Sequence, residues 1–104
     1  MLIVLGHFTA RDGRVEEALV LSQAHVARSR AEPGCLAHAV HRDTEHPSRL
    51  VFVERWADRE ALWAHFQLPA SRDFVKSLAA LAAEPPAMSV YDASPVPLPG
   101  KPAG

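Results

Sequence analysis

The sequence predicts an α+β domain with the element order β-α-β-β-α-β, an antiparallel sheet carrying its helices on one face. Three observations predict it. Apolar, β-prone runs at residues 2–10, 35–42, 50–56 and 87–93 supply four strands. The intervening stretches 14–32 and 59–83 carry apolar residues at spacings of three and four, the helical period. The link at 43–48 is short and polar, which joins the second and third runs as an antiparallel pair.

The first strand, Leu2 to about residue 10, ends in the turn signal Arg11-Asp12-Gly13. Side chains alternate along a strand, so Ile3, Leu5 and His7 share one face and Leu2, Val4, Gly6 and Phe8 the other. The helical stretch that follows repeats Val15, Ala18, Leu19, Ser22 and Val26. Glu16 and Glu17 in its first turn and Arg28 and Arg30 near its end suit the helix dipole. Pro33-Gly34 stops it. In the second helical stretch Asp58 is a good N-cap and Glu60 lies in the first turn. Pro69 interrupts it, and Ser71 is positioned to cap a further segment carrying Phe74, Leu78, Leu81 and Ala82 to about Ala83.

The chain has 104 residues, enough for one domain and one core. It divides into a domain at 1–93 and a Pro-rich tail at 94–104 that holds four of the nine prolines. The tail has little to bury and is either disordered or laid as an arm on a partner subunit. Formal net charge is −1 and no basic run stands out, which argues against nucleic-acid binding. Cys35 is the only cysteine, so no intrachain disulfide forms. The start of the chain is too short in apolar residues for a signal-peptide core, and no apolar run reaches the ~18 residues that span a bilayer. A soluble, cytoplasmic protein that does not engage membranes is expected.

A single sheet with helices on one face leaves its other face uncovered. Strand residues such as Val4, Phe8, Val51 and Val53 would leave too large an apolar surface for a stable monomer. A second copy stacked sheet on sheet solves this, giving a dimeric α+β barrel of ferredoxin-like subunits.

The spacing Glu54-x-Trp56-x-Asp58-x-x-Ala61-x-x-x-His65, with Glu-Pro-Gly-Cys-Leu at 32–36, resembles the antibiotic biosynthesis monooxygenase family. The resemblance covers residues 2–93 and is best with the branch that oxidises quinols. It implies a homodimer and a ligand cavity between sheet and helices. It also implies a monooxygenase that uses O₂ on a small aromatic substrate, a hydroquinone, phenol or anthrone, without cofactor or metal. Haem-degrading members carry an axial histidine on the helix after the break, and Arg72 to Lys76 here contains none. The asparagine and tyrosine of the anthrone-oxidising members are replaced by Phe52 and Leu62.

His65 matches the helix histidine of the quinol-oxidising branch, and imidazole titrates near working pH. His65 or His7 would be the base. The alternative for His65 is a structural histidine bonded to a backbone carbonyl beside Pro69; for His7 it is a partly buried residue at the sheet end. Trp56 is either a flat wall for a planar phenol or a core anchor at a strand end. Phe52 and Phe66 complete the walls. By parity His7 and Trp56 are both expected to face the cavity. Glu54 is a carboxylate on the apolar face of a central strand and needs a cation, for which Arg72 or Arg42 is expected. The alternative is a pocket base of raised pKa. His38 and His41 point to opposite faces, His25 lies on the first helix and His46 in the hairpin, so no metal-ligand cluster is expected. A non-catalytic ligand-binding or stress-related dimer is the alternative function, and a proton-transfer isomerase a third.

Overall fold

The computed structural model describes residues 1–100 and contains seven elements. They are β1 (Leu2–Thr9), α1 (Val15–Ser29), β2 (Cys35–Arg42), β3 (Arg49–Trp56), α2 (Arg59–Gln67), α3 (Pro69–Ala79) and β4 (Ala87–Asp92). The sheet order is β2-β3-β1-β4 and every neighbouring pair is antiparallel. This is the ferredoxin-like arrangement, with the second helix divided in two. The last four residues of the Pro-rich stretch 94–104 lie outside the described residues.

Local chemistry sets the boundaries. Helix α1 ends at Ser29, three residues earlier than its periodicity predicts, because Ala31 and Glu32 turn back to the carbonyls of Arg28 and Ser29. Gly34 then takes φ 81°, a left-handed conformation that side-chain-bearing residues rarely adopt. A Cβ there would come within 2.5 Å of Ala61 Cβ, so α2 packs directly on this corner. Asp58 caps α2, accepting from the Ala61 amide at 2.9 Å. Pro69 disfavours helical backbone at the residue before it, and Leu68 is extended, with ψ 136°. Pro69 itself occupies the first turn of α3, where its missing N–H has no cost. Leu68 therefore takes the capping position predicted for Ser71, which is buried inside the first turn. Helix α3 ends at Ala79, but Leu81 beyond it is still buried in the core.

The helices cover one face of the sheet. Leu2, Val4 and Phe8 of β1 and Leu50, Phe52, Glu54 and Trp56 of β3 lie under them. Phe8, Leu50, Phe52, Leu78 and Leu81 form one apolar cluster, and Leu2, Val4, Trp56 and Leu62 a second. Burying each such side chain contributes roughly 1.5–3 kcal/mol. The prediction that Val4 and Phe8 share an uncovered surface with Val51 and Val53 is corrected here, because β1 and β3 pair Val4 with Glu54 and His7 with Val51. The uncovered face belongs instead to Ile3, Leu5, His7, Val51, Val53 and Tyr91. Leu5 is 44%, Val53 37% and Tyr91 52% exposed. Among the described residues no helix is long and apolar enough to cross a membrane.

Candidate functional site

A cavity of about 530 Å³ lies between the helix-facing side of the sheet and the helices α1, α2 and α3. Its size suits one small organic ligand. Phe52, Phe66, Phe74 and Leu78 give it apolar walls, and His25, His65, Glu54 and Ser71 are its buried polar lining. Gly6 leaves room in the sheet beside Phe52, since it places no side chain between Val4 and Phe8 on that face.

His65 lies in the second turn of α2 and is buried. Its Nδ1 lies 2.8 Å from Oε1 of Glu32, in the turn that follows α1. Glu32 supplies the partner in place of the backbone carbonyl considered from the sequence. A carboxylate accepts, so Nδ1 donates, and in the neutral ring Nε2 then keeps its lone pair. Trp56 packs on the imidazole with ring centroids 4.7 Å apart.

Glu54 is buried and its Oε1 accepts from Trp56 Nε1 at 2.9 Å. His38 Nε2 stands 3.2 Å from the same oxygen. Neither arginine expected from the sequence meets it. Arg42 pairs with Glu16 at 2.7 Å, and Arg72 is an exposed residue on the cavity wall. Burial alone would raise the Glu54 carboxyl. The His38 and Trp56 contacts and the nearby His65 outweigh it and hold the group below the usual glutamate range, against the raised-pKa alternative. His38 reaches this position because the β2–β3 hairpin pairs it with Glu54 across the strands. Arg30 Nε also donates to the His38 carbonyl at 2.9 Å, tying the end of α1 to β2. The His38 ring is fully buried. Its Nδ1 has no partner, and its Nε2 is close enough to Glu54 for charge without the alignment of a hydrogen bond.

His25 completes the group. It lies on the buried face of α1 with Ala18, Ser22 and Ser29, and stacks on Phe74 at 4.0 Å between ring centroids. Burial lowers its pKa to about 3, helped by the neighbouring His38 and His65, so the ring is neutral at ordinary pH. The ring nitrogens offered by His25, His38 and His65 all lie within 4.8 Å of one another. The expectation that the histidines form no cluster is thus corrected: three of the six converge, from α1, β2 and α2.

The other predicted residues fall at different depths. Phe52, Glu54, Phe66 and Arg72 line the cavity. Trp56 is fully buried behind His65 and Glu54 rather than on the cavity surface. His7 borders the cavity, but the sheet register assigns its side chain to the face of Ile3 and Leu5, opposite that of Trp56. Sequence reasoning missed Glu32, His25 and His38 as site residues. Two of them carry a signal: His25 falls on the spacing Ala18, Ser22, His25, Ser29 of a helix face, and extending the hairpin pairing brings His38 opposite Glu54.

Comparison with known proteins agrees with this architecture. A protein of Synechocystis sp. described only as uncharacterised is 33% identical over 90 residues, 86% of this chain. The chain spans 61% of that relative's length. The crystal structure of an antibiotic biosynthesis monooxygenase superposes with a TM-score of 0.84 at 29% identity, covering 91% of this chain and 100% of the other. Rv0793 from Mycobacterium tuberculosis gives 0.84 at 25% identity, covering 89% and 94%. The family model described as antibiotic biosynthesis monooxygenase matches residues 1–77, and the chain belongs to that family.

Proposed function

We propose that this protein is a monooxygenase that oxidises a small aromatic hydroquinone, phenol or anthrone with O₂ and needs no cofactor. The observation that carries the reading is His65: a buried imidazole on an aromatic-walled cavity, with Nδ1 held by Glu32 and Nε2 free. Nε2 takes the phenolic proton, or the acidic C–H proton of an anthrone. The resulting anion gives one electron to O₂, and the radical pair joins as a hydroperoxide. Loss of water then leaves one oxygen atom in the product, so that an anthrone methylene and O₂ become a carbonyl and H₂O. Phe52, Phe66 and Phe74 hold the ring, Trp56 backs the imidazole, and Arg72 at the rim attracts a polar substituent. His7 is assigned to the cavity's border and not to the base.

The working unit is a homodimer of the 1–93 domain, each open sheet face covering the other. The compartment in this reading is the cytoplasm. Support for the homodimer comes from the exposed apolar residues Leu5, Val53 and Tyr91 on one face.

Oxygen uptake by chelator-treated protein with a panel of hydroquinones and anthrones, against a boiled control, tests the reading. Uptake proportional to protein concentration and lost in His65→Ala supports it. An absence of uptake across the panel overturns it in favour of a non-catalytic ligand-binding dimer.

A further inference from the structure

We infer that His25, His38 and His65 form a binding site for one divalent first-row transition-metal ion of borderline softness, such as Zn²⁺, Co²⁺ or Ni²⁺. The three imidazoles come from three different elements and all are buried. Their nitrogens lie within 4.8 Å of one another. A tetrahedral ion with bonds of ~2.0–2.1 Å holds its nitrogens roughly 3.3 Å apart. Each ring must therefore move by less than about 1 Å, a shift within side-chain adjustment.

Four further observations point to a ligand rather than to simple packing. Among the described residues the buried His38 ring has no partner on Nδ1, and its Nε2 has only the poorly aligned approach to Glu54 at 3.2 Å, an arrangement that costs free energy unless something binds there. Glu32 holds His65 through Nδ1, the carboxylate–histidine contact that orients metal-bound imidazoles, and leaves Nε2 free. Phe74 stacks on His25 and fixes its ring. Glu54, at 3.2 Å from His38, is near enough to balance charge. The carboxylates of Glu32 and Glu54 together match the two positive charges of the ion, which removes the main penalty for placing it in a buried site. Nitrogen-rich, sulfur-free donors select borderline ions over Mg²⁺ or Ca²⁺. His25, His65 and Glu54 line the cavity, which gives the ion its entry path and leaves a coordination position facing it. The inference goes beyond the proposed oxygenation, which it would confine to the metal-free protein. Nε2 of His65 has one lone pair, so a bound ion and a catalytic base exclude each other.

The test is titration of chelator-treated full-length protein with Co²⁺, read by visible ligand-field absorption, with no substrate present. The expected result is saturation at one ion per chain, with the intense bands of low-coordinate cobalt. His38→Gln and His25→Gln, each checked for fold by circular dichroism, should weaken binding at least tenfold. If His38→Gln does not fold, His25→Gln and the stoichiometry decide. Absent or weak octahedral bands, or binding unchanged in a folded variant, would place cobalt on surface residues such as His41 and His46 and overturn the inference. Oxygen uptake by metal-free protein is measured separately, so failure of one reading does not touch the other.

Discussion

Glu32 and His65 are separated by 33 positions in sequence and by 2.8 Å between Oε1 and Nδ1. The contact joins the turn after α1 to the second turn of α2, and it determines which imidazole nitrogen is available to a ligand. The Glu32 side chain is largely buried, at 16% exposure. Solvent therefore competes poorly for the contact.

Replacing Glu32 by Gln should keep the fold and release the His65 tautomer. In the proposed oxygenation kcat falls, by no more than the ~10²–10⁴-fold that a positioned base supplies, while KM for the aromatic substrate changes little. Steady-state oxygen uptake separates the two parameters. An equal loss from a raised KM alone would assign Glu32 to substrate binding instead.

Gly34→Ala should destabilise the chain by about 1–3 kcal/mol, through the cost of a positive φ for alanine and the collision with Ala61. At a chain length near one hundred residues that corresponds to a fall in Tm of ~4–8 °C for each kcal/mol. Thermal denaturation followed by circular dichroism measures it. A second change, Ala61→Gly, relieves the collision and restores part of the loss.

Acid should weaken the metal-free fold in a predictable window. His25 binds protons more readily unfolded, with an ordinary value of 6.5, than folded, at about 3. The unfolded chain therefore takes up the extra proton, and stability is full above pH 6.5 and declines as pH falls towards 3. The facing groups are His38 and His65, which disfavour the charged ring, and Glu54, which favours it; Arg28 adds a small disfavouring effect. Glu54 is depressed as well, so its contribution is lost in the same direction at the acid end. Urea unfolding between pH 7 and pH 4 gives the slope, and His25→Phe should flatten its upper part. A slope unchanged by His25→Phe would remove His25 as its source.

Charge on the open sheet face should abolish the proposed homodimer. Leu5→Arg with Val53→Asp places ions where two apolar surfaces would meet, and sedimentation velocity should then find a monomer. A wild-type chain that sediments as a monomer at micromolar concentration refutes the sheet-on-sheet arrangement.

The fold was legible because each element announces itself locally. The period-two runs, the Asp58 cap, Pro69 and the Pro33-Gly34 stop are short-range signals, and they fix element type and order without knowledge of partners. The site was legible in part. Phe52, Glu54, His65 and Phe66 could be placed from the resemblance and from strand parity. Pairing partners could not, because Glu32–His65 and His38–Glu54 are made across elements whose rotation about their own axes no local pattern specifies. Trp56 illustrates the same limit: parity gives its face, but only the packing of α2 shows that it lies behind His65 and not beside a ligand. The Glu54 partner was sought among arginines because fixed charge is visible in sequence, whereas a histidine across a hairpin is visible only once register is extended.

Strand β4 is exposed along all six of its residues and pairs with β1 alone. None of its side chains is fully buried, so what retains it is chiefly a ladder of backbone hydrogen bonds at the sheet's edge, with the exposed Arg59–Asp92 ion pair at its end. Such a strand frays first, and its amides should exchange with solvent long before those of β1 or β3. Pro86, Ala87 and Met88, at its start, form part of the cavity wall. Detachment of β4 would open the cavity from the side and let a ligand leave without any helix moving, so the residence time of whatever binds there is tied to how firmly this one edge is held.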